Sequence, residues 1–303
     1  MKLERMTEKS LESFVPWSQI EDSLPTFTST VGGFSGARRG IVTTPDNKKL
    51  FVKIGTDEQT KGWAKKEIES YAFLEEKGFS YIPRLLSTNA DNTGFAVDAL
   101  LPEEGWDWTD TWSRERLDAT LRAMDTLALM KPDSKYAELL KPVISDADNG
   151  WPKLLASAEQ QAFLATKLAT SPDRKVLEEL QAQTEKASSY VIHHDTLVHD
   201  DVRADNCPWN KQTGEVKLVD WNWLELGDRR LDLAAFLVHV HQSGFDVLPN
   251  YADRLDSAAL QWMAGLWLEA ASKPIWPGGP EKLRDMQLRS GLTALRLSRE
   301  IGA

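Results

Sequence analysis

Short segments rich in β-branched and aromatic residues are concentrated before residue 102. Of all features of the sequence, this uneven distribution limits the possible folds most. Thr26–Val31, Arg38–Thr44 and Lys49–Ile54 are runs of this kind, and residues 45–47 supply turn formers between the last two. Phe95–Leu101 is a further run. The pattern predicts a small, mostly antiparallel sheet near the start of the chain.

Helical periodicity dominates the remainder of the chain. One helix, Lys61–Lys77, is predicted among the strands, because apolar residues recur three to five positions apart within it and Gly78 ends it. After Pro102, longer helical patterns are predicted at Ser113–Met130, Arg174–Val191, Arg230–Gln242, Ser257–Ser272 and Glu281–Ile301.

The two kinds of pattern divide the chain at about residue 98. With 303 residues, the chain is longer than a typical single domain, so two lobes are expected. We expect an N-terminal lobe of residues 1–98, with a small antiparallel sheet and one helix, and a larger, mainly helical lobe of residues 99–303. The predicted fold class is therefore α+β and bilobal.

The chain is acidic, with 36 lysine and arginine residues against 46 aspartate and glutamate residues and a formal net charge of −10. A surface of this sign repels nucleic acid phosphates and anionic membranes, so neither is an expected partner. Cys207 is the single cysteine, which excludes an internal disulfide. Because the N-terminus also lacks the apolar stretch of a signal peptide, we expect a cytoplasmic protein.

A β-hairpin is predicted in the second half of the chain. Cys207–Asn210 and Glu215–Val219 are its strands, and Lys211–Gly214 is its turn, where glycine suits a positive φ. Asn206 and Asp220 lie symmetrically about Thr213. Antiparallel pairing would therefore bring them within about 5 Å of each other.

These two side chains suit a divalent cation. One amide oxygen and one carboxylate at this separation can bind Mg²⁺, which prefers oxygen ligands and keeps positions open for phosphate and water. Asp201 lies in the loop just before the hairpin and is expected beside them. The sequence therefore predicts a magnesium site at Asn206 and Asp220.

The same segment carries a known pattern of residues. His199, Asp201 and Asn206 form an H-x-D-x-x-x-x-N motif, and Asp220 follows where a metal-binding aspartate is expected. These residues resemble the catalytic segment of the aminoglycoside phosphotransferase family, which comprises small-molecule kinases of the protein-kinase-like superfamily. A G-D-x-x-x-D-L-A segment typical of the family follows at Gly227, Asp228, Asp232, Leu233 and Ala234.

The early part of the chain adds further elements of this pattern, and the resemblance implies a protein-kinase-like fold. Lys53 resembles the lysine of the family's third strand, and Glu67 falls where the family has the glutamate that pairs with it. A segment similar to a phosphate-covering loop consists of Gly32, Gly33, Phe34, Ser35 and Gly36. The hinge that reads the nucleobase corresponds to Asp98, Ala99 and Leu100.

The resemblance implies a nucleotide and a metal as cofactors. Lys53, held by Glu67, would contact the phosphates of ATP or GTP. Asn206 and Asp220 would bind Mg²⁺, which agrees with the site predicted from the hairpin.

The resemblance also implies three catalytic roles. Asp201 would accept the proton of the acceptor hydroxyl, His199 would brace the catalytic loop, and Arg203 would contact the γ-phosphate.

Two positions depart from the expected pattern. Asp200 stands where glycine is usual in the family, and Trp221-Asn222 replaces the Phe-Gly of protein kinases.

The implied activity is ATP-dependent transfer of the γ-phosphate to a hydroxyl group of a small molecule. Residues 99–303 hold 23 basic and 32 acidic residues, which favours a cationic acceptor. An aminoglycoside fits this charge, and choline-like molecules, amino sugars and other hydroxylated metabolites fit the same residues. Two alternatives stay open. The chain could be a catalytically silent nucleotide-binding module. A metal-dependent phosphohydrolase is also suggested by His193, His194, Asp195, His199 and Asp200.

Overall fold

The structure is a computed structural model that describes residues 15–30, 36–275 and 281–302. Within these ranges, no helix is both long enough and apolar enough to cross a membrane.

The chain divides into two compact units that alternate along the sequence. Unit 1 contains Met1–Lys141 and Leu197–Glu225, whereas unit 2 contains Pro142–Thr196 and Leu226–Ala303. The chain therefore enters unit 1 twice, and its second passage carries the predicted catalytic segment.

Unit 1 contains a five-stranded antiparallel sheet among its described residues. The strands are β1 (Thr28–Ser29), β2 (Arg38–Thr43), β3 (Lys49–Ile54), β4 (Leu85–Thr88) and β5 (Gly94–Asp98), in the order β1-β2-β3-β5-β4. The turn between β2 and β3 uses Asn47 at a positive φ of 64°, a conformation that asparagine tolerates better than most residues.

One face of this sheet forms a core of unit 1. Apolar side chains on this face alternate along the strands with residues that point the other way. Helix α1 (Trp17–Ser23) packs here, and the fully buried members are Ile20, Val42, Leu50, Val52, Leu86 and Ala96. Because this core secures one side of the sheet, the opposite face can build a site.

The opposite face carries two adjacent rows of side chains. Pairing of β2, β3 and β5 places Ile41 beside Phe51, and Phe51 beside Val97. Two residues before Ile41 in β2, and two residues after Phe51 in β3, Arg39 pairs with Lys53. An apolar row therefore lies next to a cationic row on the same face of the sheet.

Helices and short strands complete unit 1. Helix α2 (Glu58–Glu76) begins at a capping box, in which Asp57 accepts a hydrogen bond from the Thr60 backbone N–H at 2.7 Å and donates its own backbone N–H to the Thr60 hydroxyl at 3.0 Å. Helix α3 (Arg114–Ala128) follows β6 (Trp106–Asp107), and β6 pairs with β8 (Trp209–Asn210).

Unit 2 is helical over most of its described length. Its helices are α4 (Gly150–Ala156), α5 (Ala158–Lys167), α6 (Lys175–Glu178), α7 (Leu180–Ser188), α8 (Arg229–Gln242), α9 (Leu248–Tyr251), α10 (Ser257–Ala271) and α11 (Leu283–Ile301). The chain passes between the units within the short strands β7 (Thr196–Val198) and β9 (Glu225–Gly227).

Helix α4 approaches helix α10 closely because both carry glycine at the contact. A Cβ atom on Gly150 would overlap the carbonyl oxygen of Gly265, and one on Gly265 would overlap the ring of Trp151. The indole Nε1 of Trp151 donates to the carbonyl of Gln261 at 2.7 Å. This contact joins the two helices through buried groups.

The structure confirms the predicted mixed α+β class, with a small antiparallel sheet and a larger helical portion. Strand β4 and helices α4 and α5 were not predicted. The pattern at Arg174–Val191 forms two helices rather than one, and β5 ends at Asp98 rather than Leu101. The predicted lobe boundary at residue 98 stays a prediction.

Candidate functional site

A cavity of about 380 Å³ lies in unit 1, on the face of the sheet that carries the apolar row and the cationic row. Residues of the sheet, of helix α2 and of the second passage of the chain through unit 1 line it together. Its lining includes Arg39, Ile41, Phe51, Lys53, Glu67, Val97, Asp98, Leu100, Leu101, Trp108, Asp205, Asn206, Val219 and Asp220. Of the eight described residues that were predicted to bind nucleotide or metal, six therefore share one cavity.

Lys53 joins two carboxylates at one end of this cavity. Its Nζ lies 2.6 Å from Oε2 of Glu67 and 2.7 Å from Oδ1 of Asp220. Both Lys53 and Glu67 are almost fully buried. Burial alone would lower the pKa of Lys53, but Glu67 and Asp220 raise it above its usual value. Lys53 is therefore a fixed cation.

The two carboxylates respond differently to this lysine. Burial raises the pKa of Glu67, although Lys53 opposes the change. Burial also acts to raise the pKa of Asp220, but Lys53 outweighs it and holds that pKa below the usual range. Asp220 is therefore an anion that faces the cavity.

The predicted hairpin forms, but its register differs by one residue from the prediction. The Val219 N–H donates to the Asn206 carbonyl at 3.0 Å, so Asn206 faces Val219 rather than Asp220. Gly214 takes the expected positive φ, at 73°. Asp220 follows the hairpin in a left-handed conformation, with φ of 66°. A one-residue shift reverses the faces of a strand, and this left-handed turn redirects the Asp220 side chain toward Lys53.

Asn206 and Asp220 each keep an oxygen that could bind a cation. The Asn206 Nδ2 donates to the backbone carbonyl of Asp201 at 2.8 Å and to its Oδ2 at 2.9 Å, which turns its amide oxygen away from these partners. Lys53 and Asn222 both donate to Oδ1 of Asp220, at 2.7 and 2.6 Å. One amide oxygen and one carboxylate oxygen fit Mg²⁺ that also takes phosphate and water ligands.

Asp201 lies between a cation and an amide. The Arg203 Nε lies 2.9 Å from Oδ1 of Asp201, and Nη2 of the same arginine lies 3.2 Å from Asp205. Burial raises the pKa of Asp201 to about 7, with Arg203 opposing and Asp220 and Asp205 adding to the increase. A carboxylate with this pKa suits general base chemistry near neutral pH.

His199 is fully buried. Its Nε2 lies 3.0 Å from the Val219 carbonyl, and its Nδ1 accepts the backbone N–H of Asp201 at 3.3 Å. The ring of Trp221 packs against it with centroids 4.4 Å apart. His199 therefore connects the loop that carries Asp201 to the end of the hairpin.

The predicted nucleobase segment begins at the last residue of β5. Asp98 and Leu100 line the cavity, and Ala99 lies between them in the chain. Arg84 holds the Asp98 carboxylate through contacts of 2.7 and 3.1 Å, and the Leu100 carbonyl accepts the indole N–H of Trp108 at 2.9 Å.

The predicted phosphate-covering loop is described only at its end. Gly32, Gly33, Phe34 and Ser35 lie outside the described residues. The carbonyl of Gly36 accepts a hydrogen bond from the Thr56 hydroxyl at 2.9 Å.

Two residues that matter for the site were not among the predicted site residues, although a cleft-lining role for Trp108 was weighed against simple packing. Trp108 lines the cavity, as described above. Arg116 is fully buried, and its guanidinium donates to the carbonyls of Thr109, Thr111, Ala204 and Cys207 at 2.5 to 3.3 Å. An arginine at helical spacing from apolar residues on the buried face of α3 is the pattern that would have identified it.

Cys207 directly follows Asn206 in the chain, and its thiol is buried. The thiol donates to the Arg203 carbonyl, with the sulfur 2.8 Å from that oxygen. Burial raises the pKa of Cys207 to about 12. The thiol is therefore a packing group rather than a nucleophile.

The motif that suggested a phosphohydrolase does not form a metal site in the part of the chain that the structure describes. His193 and His194 are exposed, and His193 Nδ1 lies 4.0 Å from Asp195. Across the described ranges, no group of three or more histidine, cysteine, aspartate or glutamate side chains could hold a metal ion.

Comparisons with known proteins agree with this geometry. A family model described as the phosphotransferase enzyme family matches residues 31–267. No curated protein is detectably similar in sequence.

Solved structures of the same fold cover nearly the whole chain. Choline kinase LicA from Streptococcus pneumoniae is 13% identical, with a TM-score of 0.59, and the match covers 92% of this chain and 97% of that chain. An aminoglycoside phosphotransferase from Alicyclobacillus acidocaldarius is 10% identical, with a TM-score of 0.55 and coverage of 95% and 94%. A spectinomycin phosphotransferase bound to ADP and spectinomycin is 10% identical, with a TM-score of 0.56 and coverage of 94% and 98%. These likenesses confirm the protein-kinase-like fold.

Proposed function

The chain belongs to the phosphotransferase enzyme family, and on that premise we propose that it transfers the γ-phosphate of ATP to a hydroxyl group of a small molecule. One observation carries this proposal: Lys53 contacts both Glu67 and Asp220 in a cavity that Asn206 also lines. A fixed cation beside an amide oxygen and an anionic carboxylate is the arrangement that a metal-bound triphosphate requires.

Lys53 would neutralise phosphate charge at the cavity. Glu67 is buried against it and keeps the ammonium in place when the nucleotide is absent. Because Lys53 and Glu67 are held by β3 and α2, the cation is positioned before the nucleotide binds, and little of the binding free energy is lost in ordering it.

Asn206 and Asp220 would hold Mg²⁺. Bound there, Mg²⁺ would supply positive charge to offset the negative charge that develops on the phosphates during transfer. Asp220 suits this role because its pKa is held below the usual range and its Oδ1 is already fixed by Lys53 and Asn222.

Asp201 would act as the base. As the acceptor oxygen forms its bond to the γ-phosphorus, the bond from that phosphorus to the oxygen of ADP breaks and the hydroxyl proton passes to Asp201. The contacts of Asp201 with Arg203 and Asn206 orient its carboxylate, and its pKa of about 7 allows it to accept a proton near neutral pH.

The acceptor is proposed to be a cationic, aminoglycoside-like molecule. The support is electrostatic, because residues 99–303 contain 32 acidic and 23 basic residues and would attract a cation. Among proteins of this fold, one is a choline kinase and another is complexed with spectinomycin.

A screen for ADP release tests the proposal. Aminoglycosides, choline and amino sugars would be offered with ATP and Mg²⁺, and turnover is expected with at least one amine-bearing acceptor.

Asp201→Asn should lower kcat by roughly 10²- to 10⁴-fold while ADP binding persists. Asp91→Asn is the matched control, because Asp91 is exposed in the turn before β5 and should not change turnover.

The same assays distinguish the proposal from its two alternatives. A catalytically silent module would bind ADP but show no acceptor-dependent turnover with any compound. Hydrolysis of phosphoesters with transition metals, in the absence of ATP consumption, would favour the phosphohydrolase, which the exposed His193 and His194 do not support.

A further inference from the structure

One buried side chain from helix α3 binds the backbone on both sides of Asn206. We propose that this residue, Arg116, is a positioning residue for the metal site and raises the affinity of that site for Mg²⁺. The inference rests on the proposed function, because it concerns the ion that Asn206 and Asp220 would hold.

The two terminal nitrogens of Arg116 bind two different segments of unit 1. Nη2 donates to the carbonyls of Ala204 and Cys207, at 3.3 and 3.1 Å. Nη1 donates to the carbonyls of Thr109 and Thr111, at 2.5 and 3.0 Å. Because the guanidinium is planar and rigid, it fixes the spacing between the segment after β6 and the loop just before the hairpin.

Arg116 is itself held in place at the start of helix α3. Its backbone N–H donates to the Ser113 hydroxyl at 3.2 Å, which is the N-cap contact of this helix. The ring of Trp112 covers the guanidinium, and the whole arginine is buried. The hydrogen bonds of Arg116 therefore start from a fixed point on the helix.

Asn206 depends on this support because it lies between the two carbonyls that Nη2 binds. The Asn206 N–H donates to the Arg203 carbonyl at 2.8 Å, and its carbonyl accepts the Val219 N–H at 3.0 Å. Its side-chain Nδ2 donates to the Asp201 carboxylate, which directs the amide oxygen away from Asp201. A displacement of this backbone would disturb all three contacts and would move the amide oxygen relative to Asp220.

The contribution of Arg116 to metal binding is position rather than charge. A cation near the metal site would by itself repel Mg²⁺. Lys53 is the charge that most shifts the pKa of Asp220, and Arg116 is not among the main contributors. Residues that orient a metal ligand typically change metal affinity by about 10- to 100-fold. A variant that keeps the charge but loses the hydrogen bonds should therefore still weaken metal binding.

The experiment measures ADP binding by calorimetry in the presence of EDTA and again with saturating Mg²⁺. Because two ligands affect each other's affinity reciprocally, the factor by which Mg²⁺ tightens ADP binding reports how well the site holds the ion. We call this factor the magnesium effect and expect it to be at least tenfold for wild type.

Arg116→Lys keeps the positive charge but carries its donors on a single nitrogen, so it cannot span both segments. The magnesium effect should fall roughly three- to tenfold. ADP binding in EDTA should change less than twofold, because Arg116 does not line the cavity. Arg122→Lys is the matched control, because Arg122 is exposed on the same helix and should leave both affinities unchanged.

A second variant leaves the arginine in place. Trp112→Leu removes the ring that covers the guanidinium, so the hydrogen bonds to Ala204 and Cys207 should be less well directed. The magnesium effect should then fall about two- to threefold. Trp112 is half-buried, so this variant is expected to fold even if Arg116→Lys does not.

The outcomes separate the two proposals. An unchanged magnesium effect in both variants, or equal weakening of ADP binding in EDTA and in Mg²⁺, would overturn the positioning role of Arg116 and leave the phosphotransferase proposal intact. If wild type does not bind ADP, or binds it equally with and without Mg²⁺, the proposed function fails and the inference fails with it.

Discussion

Asp201 shows how one side chain is tuned by its immediate neighbours. Desolvation favours its neutral form, whereas Arg203 favours the carboxylate, and the balance places the pKa at about 7. The predicted contact of Arg203 with the γ-phosphate stays a prediction. In the structure, its guanidinium faces Asp201 and Asp205 instead.

This balance predicts the pH dependence of catalysis. Because only the carboxylate can accept a proton, kcat/KM should fall as the pH decreases through about 7. Arg203→Gln removes the cation that lowers the pKa of Asp201, so the midpoint should move upward by roughly one pH unit. A pH profile of ADP release would measure the shift, and an equal loss at every pH would contradict it.

The residues at the charged end of the cavity were predictable, whereas their surroundings were not. The resemblance to the family implied that Glu67 holds Lys53 and that Asp220 belongs to the same nucleotide site, and Lys53 Nζ lies 2.6 Å from Glu67 and 2.7 Å from Asp220. Trp108 and Arg116 act through backbone carbonyls, which exist at every residue. A sequence cannot show which carbonyl a side chain will reach.

At the scale of elements, helix α3 is joined to the loop that carries Asp201 by one buried cation. Arg116 has no carboxylate among the hydrogen-bond partners of its guanidinium, which are the carbonyls of Thr109, Thr111, Ala204 and Cys207. Trp112 covers the guanidinium, with its ring centroid 4.3 Å away.

Loss of this cation should therefore destabilise the fold. Arg116→Met would leave several buried carbonyls without donors and is expected to lower the free energy of unfolding by about 2–4 kcal/mol. Arg122→Met is the matched control, because Arg122 is exposed on the same helix and should change stability by less than about 0.5 kcal/mol. Urea unfolding measures both, and similar midpoints for the two variants would refute the role of Arg116.

Alanine substitutions at two helical glycines are expected to change the stability of the protein in opposite directions. Gly62 in α2 has open space around it, so Gly62→Ala should stabilise the protein by about 0.5–1 kcal/mol through helix propensity. Gly150 in α4 meets the backbone of Gly265, so Gly150→Ala should destabilise it by about 1–3 kcal/mol. Thermal unfolding of both variants would measure the two signs, and equal shifts would show that helix packing at Gly150 is adaptable.

Elements with strong periodicity were predictable, and those set by tertiary contacts were not. The pattern from Lys61 to Lys77 corresponds to helix α2, and its end at Gly78 is confirmed by a positive φ of 73°. Helix α4 is only seven residues long and depends on its contact with α10, so its own sequence indicates it weakly.

The hairpin register shows a second limit of sequence analysis. The side chain of Asn210 accepts the backbone N–H groups of Gln212 and Thr213, at 2.9 and 3.1 Å, and so organises the turn. In the structure Asn210 faces Glu215, so the pairing differs by one residue from the predicted pairing centred on Thr213. Counting residues between two strands does not reveal such a side-chain contact.

For the whole molecule, the net charge of −10 should influence how the acceptor arrives. If the acceptor is cationic, kcat/KM should fall severalfold between low and physiological ionic strength, because salt screens the attraction over a Debye length of about 8–10 Å. The rate with a neutral acceptor should hardly change. Steady-state kinetics across a salt series provides the measurement, and a salt-independent rate with the cationic acceptor would contradict the electrostatic argument.

The buried thiol of Cys207 has a practical consequence for the whole chain. It is the only cysteine, and at neutral pH almost none of it is thiolate, because its pKa is raised to about 12. Maleimide dyes and nitroxide labels should therefore leave the native chain unmodified. A pair of cysteines introduced on exposed helices of units 1 and 2 would then be the only labelled positions, and the distance between the labels could be followed as nucleotide is added.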